Sequence, residues 1–363
     1  MIIRDGTITY IDYPGDEIVI PDGVKIIGRT CLMHNSNVKK IIIPDTVIRI
    51  ESWAFSQCPN LEEVVIPDSV ILIGSEAFQG CKKLKKITLP KNLSKIDRCT
   101  FESCESIKAI EIPSYVAEIS DYAFAGCTSL ETVTFLDERG TELRRIQRGA
   151  FEDCTSLKKI VIPEFADIGE FAFNRCIKLE TVVLPKFISN INKSTFRSCR
   201  VLRSITIPPF VTDIGERAFE DCESMEEVHF KFNDNDSHYR TKKPISIGPS
   251  AFKNCRSLEK IILPELVRVI DKHAFSECKS LKSIELSSKC RKICKKAFMN
   301  CVSLEDVVLN VEWDSLRDTV LYGHIDAKMS KSAFEGCHNF RYRIKNIDDV
   351  ERLIKKNDNK RYK

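Results

Sequence analysis

No run of about 18 apolar residues occurs in this chain, so no segment of it reads as a transmembrane helix. The first ten residues, MIIRDGTITY, hold one Arg and no apolar stretch long enough for a secretory signal. A chain complete as written is expected to stay in the cytoplasm, and a cell-surface or secreted location is expected if a leader was removed. Charge of either sign is not in excess. The 56 Lys and Arg against 52 Asp and Glu leave +4 spread over 363 residues, which gives no general reason to bind nucleic acid. Gly-rich nucleotide loops, His-Glu-x-x-His and Gly-x-Ser-x-Gly are all missing. The six His residues, at 34, 229, 238, 273, 324 and 338, fall without metal-ligand spacing. The expectation is a protein with no catalytic site, no cofactor and no metal.

What is present is a repeat. Residues 67–89 read PDSVILIGSEAFQGCKKLKKITL, and Pro90 opens a near copy 23 residues on. In that register Ala-Phe-x-x-Cys, or Thr-Phe-x-x-Cys, recurs twelve times, from Phe55 and Cys58 to Phe334 and Cys337. An apolar residue follows each of these Cys by three positions, as in Leu61, Leu84 and Ile107. A unit this short cannot bury an apolar face alone, so the copies must stack into a solenoid.

Within Leu61-Glu-Glu-Val-Val-Ile-Pro67 the residues alternate from Val64 onward, which predicts a short strand with Val64 and Ile66 inside and Val65 outside. Its return every 23 residues predicts parallel strands lined up along one face. Pro67 ends the strand where a missing donor costs least. Val70 and Ile73 then re-enter the core as a second, shorter extended piece. Gly74, Gly169, Gly215 and Gly248 follow that Ile and suit a tight corner. The three-residue step from Phe78 to Cys81 predicts a short helical turn across Ala77-Phe78. The fold class expected is thus an α/β solenoid of about thirteen rungs, near 60 Å long at ~4.8 Å per rung.

Sixteen cysteines would suit a disulfide scaffold, but twelve of them belong to the ladder. A regular stack does not supply disulfide geometry, so these are read as buried free thiols acting as small hydrophobes. Cys31, Cys99, Cys290 and Cys294 lie off the ladder. The pair Cys290 and Cys294 lacks converging partners for zinc and is read as core or near-core substitution.

Three divisions follow. Residues 1–35 form an atypical first rung and cap, in which Ile2, Ile3, Ile8 and Tyr10 are expected to make strands over the open end. Residues 36–340 are the solenoid. Residues 341–363 are a capping helix, with Ile347, Val350, Leu353 and Ile354 at helical spacing behind Asn346 and Asp349, and then a basic tail. The Cys spacing widens to 27, 33 and 36 residues at insertions near 137–143, 231–243 and 310–326. Such loops on a rigid frame are where binding is commonly found.

The repeat resembles the BspA-like leucine-rich repeat family, on the strength of its Leu-x-x-Ile-x-Leu-Pro and Val-x-x-Ile-x-x-x-Ala-Phe-x-x-Cys-x-x-Leu units over about residues 18–340. That resemblance implies a curved, right-handed solenoid and a role in adhesion or in contact with proteins, often at a cell surface. The expected function is a protein-binding scaffold, with a structural or self-associating surface protein and a carbohydrate-binding adhesin as alternatives. The outward strand positions carry no Trp and no Tyr, which favours a protein partner. The expected contact surface joins Thr181, Val183, Thr206 and His229 on the strand face to Phe232, His238, Tyr239 and Arg240 in the second insertion.

Overall fold

The computed structural model describes residues 1–136, 142–231, 243–287, 290–310, 330, 332–338 and 341–344. Among them are strands and turns and no helix. Each rung has three sides, and the apolar residues of all three meet inside. Leu61, Val64, Val70, Ile73, Ala77, Phe78 and Cys81 are each buried to 2 % exposure or less.

The first side is made of the predicted strands, such as Lys40–Ile42, Glu63–Val65 and Lys86–Ile87. They pair in parallel, with Lys40 beside Glu63 and Glu63 beside Lys86, so the pairing repeats the sequence period. This face is not one continuous sheet. It is divided into four hydrogen-bonded pieces, with seams between Lys86–Ile87 and Ala109–Ile112, Thr181–Val183 and Ser204–Ile207, and Glu227–Phe230 and Lys260–Ile262. The second side holds mostly two-residue strands such as Arg49–Ile50 and Leu72–Ile73, also parallel. At the start of the chain Ile2–Arg4 and Thr7–Tyr10 form an antiparallel hairpin whose inner strand pairs with Ile26–Ile27. Ile8 enters the core there, whereas Ile2, Ile3 and Tyr10 stay exposed.

The third side replaces the expected helical turn. Ala77 donates to the Gly74 carbonyl, Gln79 to Glu76 and Cys81 to Phe78, so the segment is a run of overlapping β-turns. Glu76 and Gly80, the third residues of the outer two turns, have φ of +61° and +71°. A type II turn requires that sign. The amides of Glu76, Phe78 and Gly80 donate instead to Arg98, Thr100 and Glu102 of the next rung. Every amide from 76 to 81 is thereby used, half within its rung and half between rungs. A positive φ in a residue with a side chain costs on the order of 1 kcal/mol, and these interlocking backbone bonds offset it. The i, i+3 spacing of Phe and Cys fits such turns as well as it fits a helix, which is why periodicity misassigned them.

Inside this wall the twelve Phe rings form one column from Phe55 to Phe334. Neighbouring centroids lie between 4.9 and 5.6 Å apart, most with nearly parallel planes. The cysteines do more than fill space. The Cys81 Sγ donates to the Phe55 carbonyl at 3.2 Å, Cys104 to Phe78 at 3.2 Å, and the pattern continues to Cys337 on Phe298 at 3.0 Å. All sixteen thiols are free. Burial pushes the Cys58 and Cys127 thiols up to about 12, so they are inert as nucleophiles at neutral pH.

The recurring glycines have a different reason from the expected corner. Gly74 and Gly215 are not among the residues with positive φ. A Cβ on Gly215 would lie 2.9 Å from the backbone of Ile191, Asn192 and Lys193, so close approach of the preceding rung is what excludes a side chain. The expected terminal helix over Ile347 to Ile354 lies outside the described residues, as do most of the three insertions.

Candidate functional site

The outward strand face is built by alternation: for each Ile160 or Val182 turned into the core, Val161 or Val183 is turned out. Parallel pairing brings Thr181 beside Lys159 and Val183 beside Val161, and it brings Thr206 beside His229. Val161 and Val183 are 48 % and 47 % exposed. The seam between Thr181–Val183 and Ser204–Ile207 separates these two pairs. The four strand residues expected to share a surface therefore sit on one face in two hydrogen-bonded groups. Phe232, His238, Tyr239 and Arg240 fall outside the described residues.

Two grooves open on this face. One, of about 640 Å³, is lined by Thr132, Thr134, Arg144, Lys159, Val161 and Phe165. The other, of about 870 Å³, lies at the seam between Glu227–Phe230 and Lys260–Ile262 and includes Glu226, Glu227, His229, Glu259 and Lys260. In it the His229 ring nitrogen lies 2.8 Å from a Glu227 carboxylate oxygen. The remaining acids are committed elsewhere, Glu226 to Arg203 at 3.5 Å and Glu259 to Lys282 at 2.9 Å. Among the described residues no group of three or more His, Cys, Asp or Glu is placed to hold a metal ion.

One feature of the site was missed in the sequence. Two residues after the strand-ending Pro163, Pro185 and Pro208 stand Phe165, Phe187 and Phe210. They form a second aromatic row on the outside, at the corner where the strand face turns into the second side. Centroids are 5.5 Å apart at both steps, and Phe165 and Phe187 are 60 % and 40 % exposed. The Arg144 guanidinium lies 5.7 Å from the centre of the Phe165 ring and the Lys186 ammonium 5.1 Å from that of Phe187. The period that revealed the inner column would have revealed this row as well.

The model of the BspA type leucine rich repeat region, six copies, matches residues 12–131, 55–163, 123–241 and 245–326. Among solved structures, the chain is similar to a leucine rich cell surface protein from Faecalibacterium prausnitzii, with 27 % identity over 87 % of this chain and 94 % of that one, at a TM-score of 0.55. It is similar to a leucine-rich repeat protein from Bacteroides ovatus, with 28 % identity over 90 % and 92 % of the two chains, at a TM-score of 0.51. A leucine-rich repeat protein from Eubacterium ventriosum shares the fold at 18 % identity over 90 % and 84 %, with a TM-score of 0.55. No curated protein matches the chain.

Proposed function

The chain belongs to the BspA-type leucine-rich repeat family, and on that premise we propose that it is a cell-surface scaffold that binds a polypeptide and carries out no chemistry of its own. The observation that carries this reading is the pair of exposed valines, Val161 and Val183, side by side on a backbone-bonded face and bordered by the groove at Lys159. Such a face loses little freedom when a partner covers it, so less of the contact energy is spent on ordering. An apolar patch with a polar rim is the usual anatomy of an interface between proteins. The surface location rests on the Faecalibacterium prausnitzii relative, described as a cell surface protein.

The contact surface we assign includes Thr181, Val183, Thr206 and His229, together with Phe232, His238, Tyr239 and Arg240 of the second insertion. A sugar is the weaker candidate. Sugars stack on exposed ring faces, and the outer rings Phe165 and Phe187 turn their faces to each other, with interplanar angles of 10°.

The test uses the full chain as bait in a pull-down from host-cell extract. Val183→Glu is expected to lose the captured partner with an unchanged circular dichroism spectrum, and replacement of 231–243 by a short Gly-Ser link is expected to weaken capture. Full capture by both variants would place binding elsewhere.

A further inference from the structure

The outer aromatic row sets exposed rings on adjacent rungs, each beside a charged residue, the two of opposite sign. Phe165 and Phe187 are exposed apolar side chains on adjacent rungs, with Val161 and Val183 at their margin. The residue before each ring is charged, Glu164 before Phe165 and Lys186 before Phe187. Among the described residues neither Glu164 nor Lys186 is in an ion pair, although many neighbouring rungs are stitched by such pairs, as Glu131 is to Lys158 at 2.7 Å.

We propose that this corner is the interface of a two-fold homodimer, in which the Phe165–Phe187 row of one chain packs antiparallel on the same row of a second copy. A two-fold interface is self-complementary, so that if one residue meets a second, the second also meets the first. An axis passing midway between the two rungs sets Phe165 against Phe187 of the second copy. The same axis sets Glu164 against Lys186 of the second copy, and the converse, giving two symmetric ion pairs. The 5.5 Å spacing of Phe165 and Phe187 is the same in both copies, because two copies of one repeat share one pitch.

Partner binding is read separately from this inference: Val161 and Val183 border both surfaces, whereas Thr206 and His229 lie one and two rungs beyond Phe187 on the strand face. Sedimentation velocity of the purified chain across a wide concentration range is the test. The wild type is expected to show a concentration-dependent dimer, and Phe187→Glu to abolish it. Glu164→Lys alone and Lys186→Glu alone are each expected to weaken the dimer about tenfold or more, because the two-fold counts each like-charge contact twice. The double reversal Glu164→Lys with Lys186→Glu is expected to restore it. A wild type that stays monomeric, a dimer indifferent to Phe187→Glu, or a double reversal that fails to rescue would each overturn the proposal. Capture of a partner in the pull-down would be untouched by those results, so the two readings fail separately.

Discussion

The turn wall and the strand face are built from the same rungs and differ in how strictly they repeat. On the turn wall each column Phe amide donates to the next rung, from Phe55 on Ala77 through Phe151 on Ala172 to Phe298 on Ala333, without a gap even where the chain carries insertions. On the strand face the hydrogen bonding lapses at three seams. The residues just ahead of the strands explain two of them. These positions mostly alternate in sign from rung to rung, as in Asp16, Lys39, Glu62 and Lys85. Like charges follow each other at Lys85 and Lys108 and at Glu226 and Glu259, and both junctions are seams. Like charges directly opposite on neighbouring strands are destabilising. The third seam, at Glu180 and Arg203, has no such explanation. The lesson is a division of labour: the wall whose backbone bonds run unbroken holds the stack, which leaves the strand face free to vary its side chains and to open grooves.

The sharpest way to break that contrast is to remove one ring from the column. Phe151 is stacked between Phe124 at 5.3 Å and Phe173 at 5.5 Å, and all three are fully buried. Phe151→Ala is expected to cost about 3–5 kcal/mol in urea unfolding, against a change within about 0.5 kcal/mol for Val183→Ala on the outward face. Equal costs would mean that the two sides do not differ in their hold on the fold. A smaller effect is expected at Gly215, where an added Cβ would meet backbone on all three neighbours at 2.9 Å. Gly215→Ala is expected to cost about 1–3 kcal/mol by overpacking, and a neutral result would show that the rungs separate more easily than their spacing implies.

The smallest effect is electrostatic and lies on the second side of the rung, at the strand Glu118–Ile119. Burial alone would raise the Glu118 pKa, but hydrogen bonds from Lys95, Arg145 and Ser120 outweigh it and hold the carboxyl down to about 2. A depressed carboxyl contributes stability that is fully present above its ordinary value near 4.5 and is lost as pH falls towards 2. The gap in urea midpoint between wild type and Glu118→Gln is therefore expected to close between pH 5 and about pH 2. A gap that stays constant would show that these bonds contribute nothing.

Much of this was legible in the sequence because a repeat states its core many times over. The inward set from Leu61 to Cys81, the parallel register and the outward positions of Val183, Thr206 and His229 all follow from alternation and period. What was not legible arises between rungs rather than within one. The Phe78–Cys81 step cannot by itself distinguish a helical turn from paired β-turns, because the choice is made by amides that reach Thr100 and Glu102 in the next rung. Gly215 was misread for a related reason, since its constraint is the backbone at Asn192 and not its own φ. The outer ring row was legible and overlooked, because Phe165, Phe187 and Phe210 fill a position that elsewhere holds Ser69 or Asn92.

The thiol ladder also gives the stack a direction. Each column Phe sends its amide towards the following rung, and its carbonyl accepts a thiol from that same rung, as Phe55 does from Cys81, which arrives 26 residues later. Among the described residues the backbone bonds between rungs join each rung to its immediate neighbours. A nascent chain leaving the ribosome can therefore finish each turn as soon as one more has emerged, leaving one unfinished turn at the growing tip.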